Sequence, residues 1–273
     1  SLPFLNNGNN VFTIYANIPD GAEFKFLPTN TGWDGDWGAS KTTPGTVVVD
    51  DEDNLKGYAA GKYLITVDFN TFTYNLSLIN NLFLVGSLTG WDPGTSLPMG
   101  EASLGVFSKV IDLADGDEFK FLPQNTGWDG DWGASKTTTG SIVVNDEDNL
   151  KGFAAGKYVV AVNFNTLTYT VSALNGVPAN LFLVGSFRGW SNDANNPQFT
   201  QTSPGVFEIN QALTANDEFK FVRVAGSWDD DLGVSGTNNG VIEQNGENNI
   251  KVTNTATYGI IVNFNTGTIT LAN

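Results

Sequence analysis

Cysteine and histidine are both absent from the 273 residues. Without thiols there are no disulfides, no thiolate metal sites and no cysteine nucleophile. Without imidazole there is no histidine general base, no Ser-His-Asp triad and no histidine-bearing metal site. Only carboxylate chemistry stays open. Charge of one sign is also scarce: 13 Lys and Arg face 29 Asp and Glu, for a formal charge of −16. That balance repels a phosphate backbone or an anionic bilayer surface, which argues against nucleic acid as a partner and leaves a neutral ligand unaffected. No stretch of 18 apolar residues is present, so no segment reads as a membrane-spanning helix, and no basic start precedes an apolar stretch as in a signal peptide.

What is present points to β-structure. Aromatics make up 12% of the chain, charged residues only 15%, and 31 glycines supply turns. This is the make-up of buried strands and tight connections rather than of helices. An internal repeat sets the organisation. The stretch DGAEFKFLPTNTGWDGDWGASKTTPG from Asp20 returns from Asp115 as DGDEFKFLPQNTGWDGDWGASKTTTG, and a more divergent copy begins at Ala215 with ANDEFKFVRVAGSWDDDLG. A period of about 95 residues exceeds solenoid repeats and matches a self-sufficient β-sandwich. The expected fold is all-β: three tandem immunoglobulin-like β-sandwich modules over 1–79, 80–175 and 176–273, joined by the short linkers LINN and ALNGVPAN. Such linkers restrict the relative orientation of neighbours.

Within the second copy, NLFLVGS, GVFSKVIDL, DEFKFL, SIVVN, GKYVVAVNF and TLTYTVS read as strands by alternation or β-branched content. The last two meet at FNTL, a tight turn. The second and third copies open with NLFLVGSLTGW and NLFLVGSFRGW, whereas the first opens with SLPFLNNGNNVF. The first module is therefore expected to lack its leading strand, through trimming or because another chain lends one.

Three unusual features gather in each full copy: a Trp after the first strand (Trp91, Trp190), a Lys within Phe-Lys-Phe (Lys120, Lys220), and a Trp-Asp-rich loop carrying Trp128 and Trp132, or Trp228. The first copy keeps Lys25, Trp33 and Trp37 but has no counterpart of Trp91. Alternation puts the two phenylalanines of Phe-Lys-Phe on one face and the lysine on the other. A neutral sugar has apolar C–H faces and a rim of hydroxyls, so exposed indoles supply stacking area and Lys, Asp and Asn supply donors and acceptors. Against this stands the possibility that the tryptophans plug the ends of each sandwich, in a structural or adhesive surface protein. Leu232 at the position of Trp132 suits either packing or a weakened site.

The acid-rich stretches DGDWG, WDDDLG and DDEDNLKG could offer oxygen ligands to calcium, although none carries the EF-hand spacing. Solvated loops are the default, with no cofactor. Glycoside hydrolysis needs two carboxylates across a cleft. Here the candidates lie one residue apart on a loop of a small module, which argues for a protein that is not an enzyme.

NLFLVGSLTGW, Phe-Lys-Phe followed by GWDGDWG, and the closing NNIKVTNTATYGIIVNFNTGTITL resemble the SusE/SusF family of surface starch-binding lipoproteins of Bacteroidetes. The resemblance implies non-catalytic sandwich modules, lipid-anchored at the outer face of the outer membrane. These would hold starch or malto-oligosaccharides beside a glycan importer and a surface amylase. It implies a site of Trp91, Lys120 and Trp128 or Trp132 in the second module, and of Trp190, Lys220 and Trp228, with Arg223, in the third. No lipid-bearing Cys is present in this sequence.

Overall fold

The computed structural model describes residues 1–49, 52–145, 147–245 and 247–273. Each repeat builds antiparallel sheets from short strands. In the second, one sheet runs in the order Ile142–Val144, Trp132–Ser135, Phe119–Leu122, Phe83–Gly86, Leu97–Pro98, with Glu147–Asp148 also on Trp132–Ser135. The opposing sheet runs Thr168–Ala173, Gly156–Asn163, Val106–Leu113, Gly100–Ser103. The third repeat follows the same plan, with Phe182–Gly185, Glu218–Val222, Leu232–Val234 and Ile242–Gln244 in one sheet. All six strands expected in the second repeat are present, and the fold is the expected array of all-β sandwiches.

Period-two alternation places the core. Phe119 and Phe121 have no exposed surface, nor have Phe219 and Phe221, while Lys120 and Lys220 between them reach outward. The hairpin that closes each repeat pairs Asp68 with Thr73, Asn163 with Thr168, and Asn263 with Thr268. Its left-handed position falls on Phe72, Leu167 and Gly267 rather than on the asparagine. Four strands of the second repeat escaped sequence reading, Leu97–Pro98, Gly100–Ser103, Trp132–Ser135 and Glu147–Asp148. All are too short to show alternation.

The chain divides into two compact units, residues 1–81 with 164–166, and residues 82–163 with 167–273. In the first unit, Leu5–Asn6, Val11–Ile18, Gly61–Asp68 and Thr73–Leu78 form one sheet, and Trp37–Ala39 pairs with Val47–Val49 in the other. Phe24 and Phe26 make single bridges to Leu55 and Trp37. Leu5 pairs opposite Thr13 as Gly100 does opposite Ser108, so Leu5–Asn6 is the counterpart of Gly100–Ser103. Among the described residues no counterpart of Phe83–Gly86 exists in this unit.

The second unit holds the second and third repeats together. The Ser108 hydroxyl donates to the Thr266 carbonyl at 2.6 Å, and Asn238 Nδ2 donates to Thr170 Oγ1 at 3.0 Å. Val106, Val159 and Ala161 join the apolar core of the third repeat. Contact between the repeats is therefore packed, not only tethered.

Candidate functional site

GWDGDWG resolves into single-residue roles. After Phe119–Leu122 the chain loops out and turns at Trp128, where the Asp131 N–H donates to the Trp128 carbonyl at 3.2 Å. Gly130 takes the left-handed conformation this turn requires, at φ 75°. Trp128 rides the turn with 41% of its surface exposed. Asp131 reaches back to Lys120. Trp132 opens the next strand, opposite Phe121, and is 5% exposed. Trp33 and Trp228 occupy the position of Trp128 and are 70% and 45% exposed.

Trp132 is therefore withdrawn from the candidate platform. It is a core residue, because the strand restarts at that position and turns its side chain inward. Leu232 fills the same place with no exposed surface. Trp37 is half-buried, stacked on Phe72 at 5.6 Å and edge-on to Phe69 at 5.2 Å, and serves packing too.

Trp91 is delivered from the other side. After Phe83–Gly86 a 3₁₀ turn spans Ser87–Thr89, then Gly90 and Trp91 both adopt left-handed backbone, at φ 63° and 58°. The Trp91 N–H donates to the Gly86 carbonyl at 2.9 Å. The Thr95 hydroxyl holds the loop by donating to the Thr89 carbonyl at 2.8 Å. Trp190 repeats this at φ 61°, with its N–H on the Gly185 carbonyl at 2.9 Å. A bulky residue in this region costs on the order of 1–2 kcal/mol, and strain of this kind concentrates at ligand sites. Its recurrence at the same indole in two repeats marks a positioned side chain. The Trp91 and Trp128 rings meet with centroids 6.3 Å apart and planes tilted by 30°.

Each lysine sits between two carboxylates. Lys120 Nζ lies 3.1 Å from Asp131 and 2.5 Å from Glu147. Lys220 lies 2.8 Å from Asp231 and 2.5 Å from Glu247. Lys25 lies 2.8 Å from Asp36 and also pairs with Glu52. Burial opposes the charge of Lys120 and Lys220, yet their hydrogen bonds to the carboxylates outweigh it and hold both pKa values above the ordinary range. Burial likewise opposes ionisation of Glu147, and the Lys120 hydrogen bond still pulls its carboxyl below the usual range. The hydrogen bond from Lys25 does the same to Asp36. An ammonium has three N–H donors, so two carboxylates leave one for a ligand.

The triads predict a stability effect. Lys120→Met should cost about 3 kcal/mol, because Glu147, 8% exposed at its side chain, would remain charged without its partner. Asp36 and Glu147 have folded pKa values below their unfolded ones, so their contribution is complete above the ordinary carboxylate range and lost as pH falls through the folded values. The lysine contribution is complete at neutral pH and lost only as pH rises past the raised lysine values. Thermal unfolding of parent and variant across pH checks both. A Lys120→Met variant with parental stability would show that the triad does not hold the fold.

Arg223 is also not free for a ligand. Its guanidinium donates to the Gly176 carbonyl at 2.9 Å and to Gln244 Oε1 at 3.2 Å, and lies 5.8 Å from the Phe264 ring centroid. Burial lowers its pKa. Asp230, which replaces the turn glycine, accepts from Asn175 Nδ2 at 2.7 Å and Gln244 Nε2 at 2.9 Å. These residues clamp the linker between the second and third repeats.

Sequence reasoning missed Asn192. Its Nδ2 donates to the Ser227 carbonyl at 2.9 Å, and its Oδ1 accepts from the Gly226 N–H at 2.8 Å, which ties the Trp190 loop to the Trp228 loop. Asn196 and the Arg188–Asp193 pair brace it, and backbone and Arg188 hydrogen bonds pull Asp193 down to about 2. The only signal was that the third copy departs from the second over this stretch. Among the described residues no group of three or more carboxylates is placed to hold a metal ion. Asp50 and Asp51, which head the acid-rich run DDEDNLKG, lie outside the described residues.

Tandem small sandwiches that carry exposed indoles on glycine-supported turns and half-buried indoles on strained loops, beside a lysine held by two acids, define a class: repeated carbohydrate-binding modules. Residues 79–173 match the model for the first starch-specific carbohydrate-binding module of SusF, and residues 180–270 match that for the SusF/SusE starch-specific carbohydrate-binding modules. The chain belongs to the SusF/SusE family. It is 25% identical over 171 residues to the outer membrane protein SusF of Bacteroides thetaiotaomicron, a match covering 55% of this chain and 34% of that protein. The chain thus spans about a third of the length of the curated relative it matches. The crystal structure of SusF from the same organism aligns over 98% of this chain and 67% of its own, at 19% identity and a TM-score of 0.36.

Proposed function

We propose that this chain is a non-catalytic, multivalent glucan-binding protein that holds starch or malto-oligosaccharides at the outer face of the outer membrane. The tilted Trp91–Trp128 pair carries this reading. Two indole faces inclined at 30° suit successive residues of a curved α-glucan better than a flat ribbon, and Lys120 lies on the strand between the two loops. Trp190, Trp228 and Lys220 give the third repeat the same parts, and Trp33 with Lys25 gives the first repeat half of them. The absence of histidine and cysteine and the engagement of Asp131 and Glu147 by Lys120 support a binding role over catalysis. A surface importer and an amylase are the partners such a role calls for, with a lipid anchor as the means of attachment.

Native electrophoresis through soluble starch is the test. The chain should be retarded in starch and not in gels containing a flat β-glucan. Equal mobility with and without starch removes this ligand.

A further inference from the structure

The third repeat departs from the other two at three positions that meet in space. Pro28 and Pro123 give way to Arg223, Gly35 and Gly130 to Asp230, and Val49 and Val144 to Gln244. In the first two repeats the turn glycine lies against that proline, where a Cβ would sit 3.7 Å and 3.5 Å from the ring. The turn is closed by its own backbone, with the N–H of Asp36 or Asp131 donating to the carbonyl of Trp33 or Trp128 at 3.2 Å. In the third repeat no such bond joins Asp231 to Trp228 among the described residues, and Asp230 holds left-handed backbone at φ 57°, which an aspartate adopts less readily than a glycine. The turn that carries Trp228 is fastened from outside instead. Asp230 Oδ1 accepts from Asn175 Nδ2 at 2.7 Å and from Gln244 Nε2 at 2.9 Å. Gln244 Oε1 in turn accepts from the Asn175 N–H at 3.0 Å and from Arg223 at 3.2 Å, and Arg223 also donates to the Gly176 carbonyl at 2.9 Å. All three replacements therefore converge on Asn175 and Gly176, in the linker that leaves the second repeat.

We propose that Asp230 is a positioning residue for the glucan platform of the third repeat: by tying the Trp228 turn to the linker, it couples the placement of this indole to the junction between the second and third repeats. The inference rests on the glucan-binding reading of Trp228. Trp228 lies between two anchors. Ahead of it, Asn192 holds the Gly226 N–H and the Ser227 carbonyl at 2.8 and 2.9 Å, and behind it Asp230 fixes the exit of the turn to Asn175. A side chain 45% exposed has few contacts of its own to hold it, so its place follows the backbone that carries it. A loosened turn would have to be ordered again on binding, at a cost in affinity. The coupling is reciprocal: whatever frees the linker weakens binding at Trp228, and a glucan seated on Trp228 stiffens the linker. The second repeat, whose Trp128 turn closes on its own backbone, carries no such dependence.

A short malto-oligosaccharide titrated into the chain carrying Trp91→Ala reads binding at the third repeat, and that chain is the parent for the variants. Asp230→Gly suits the left-handed position but removes the acceptor, and Asn175→Ala removes the side-chain donor from a linker residue outside the platform. Each should weaken binding about fivefold or more, the two together should do no more than the stronger alone, and Asp230→Asn, which keeps the acceptor oxygen, should bind within about twofold of the parent. Hydrogen exchange at the Asp229, Asp230 and Asp231 amides should be faster in Asp230→Gly and Asn175→Ala and parental in Asp230→Asn. The proposal is overturned if Asp230→Gly binds as the parent does, whatever its stability, since the tie would then only hold the repeats together. It is overturned equally if Asn175→Ala leaves binding unchanged, which would make Asp230 a ligand contact, if the two losses add, or if Asp230→Asn loses as much as Asp230→Gly. A chain that binds no malto-oligosaccharide removes the glucan reading alone, and exchange at the turn then decides the tie: slow in the parent and fast in the two variants upholds it, and equal rates overturn it.

Discussion

Trp132→Ala should lower stability by about 3–5 kcal/mol, while Trp128→Ala, four residues earlier in the same heptapeptide, should change it by no more than about 0.5 kcal/mol. Trp132 is enclosed opposite Phe121 and Val144, so truncation removes its contacts and leaves a cavity. Trp128 has 41% of its surface in solvent and loses little when cut back. Binding should respond in the opposite order. Trp128→Ala removes one of the two tilted faces and should weaken the second repeat's hold on malto-oligosaccharides, whereas Trp132→Leu, which copies the third repeat, should retain binding. Chemical denaturation followed by circular dichroism, together with titration calorimetry, separates the two effects. A Trp132→Ala variant that folds normally but no longer binds would move that ring into the site.

Either Trp91→Ala or Trp190→Ala should leave a single-site protein and reduce affinity for long starch chains by about 10²- to 10⁴-fold, and combining the two should remove most of the binding that remains. The reasoning is multivalent. Once one repeat holds a polymer, the second engages at an effective concentration set by geometry, and the packed contact between the second and third repeats fixes that geometry. The fold should survive, since alanine and tryptophan tolerate left-handed backbone equally poorly and the strain is unchanged. Short oligosaccharides, which cannot span two sites, should show only the loss at each site. If the double variant binds long starch as the parent does, the strained indoles are not the platform.

The chain alone revealed several features because their causes are local. Three copies, β-structure throughout, the closing hairpin and the inward phenylalanines of Phe-Lys-Phe all follow from periods of two residues and from turn chemistry between neighbours. The strained presentation of Trp91 and Trp190 was half-legible, through the Gly-Trp pair after a strand.

Other features depended on which segments meet. Each tryptophan of GWDGDWG is flanked by one glycine and one aspartate, and the restart of a strand at Trp132 sends one ring to the core and the other to solvent. Arg223 had the composition of a ligand arm and proved to be a linker clamp, because its partners lie on the linker before the third repeat and on the Ile242–Gln244 strand. Lys120 meets Asp131 from the adjacent loop and Glu147 from a distant strand, pairings set by sheet order and not by spacing along the chain. The sequence by itself determined the fold class, the repeat and the candidate aromatics, since hydrophobic alternation acts between near neighbours. The tertiary structure alone decided which rings face water and which charges are already paired, since each depends on segments that only folding brings side by side.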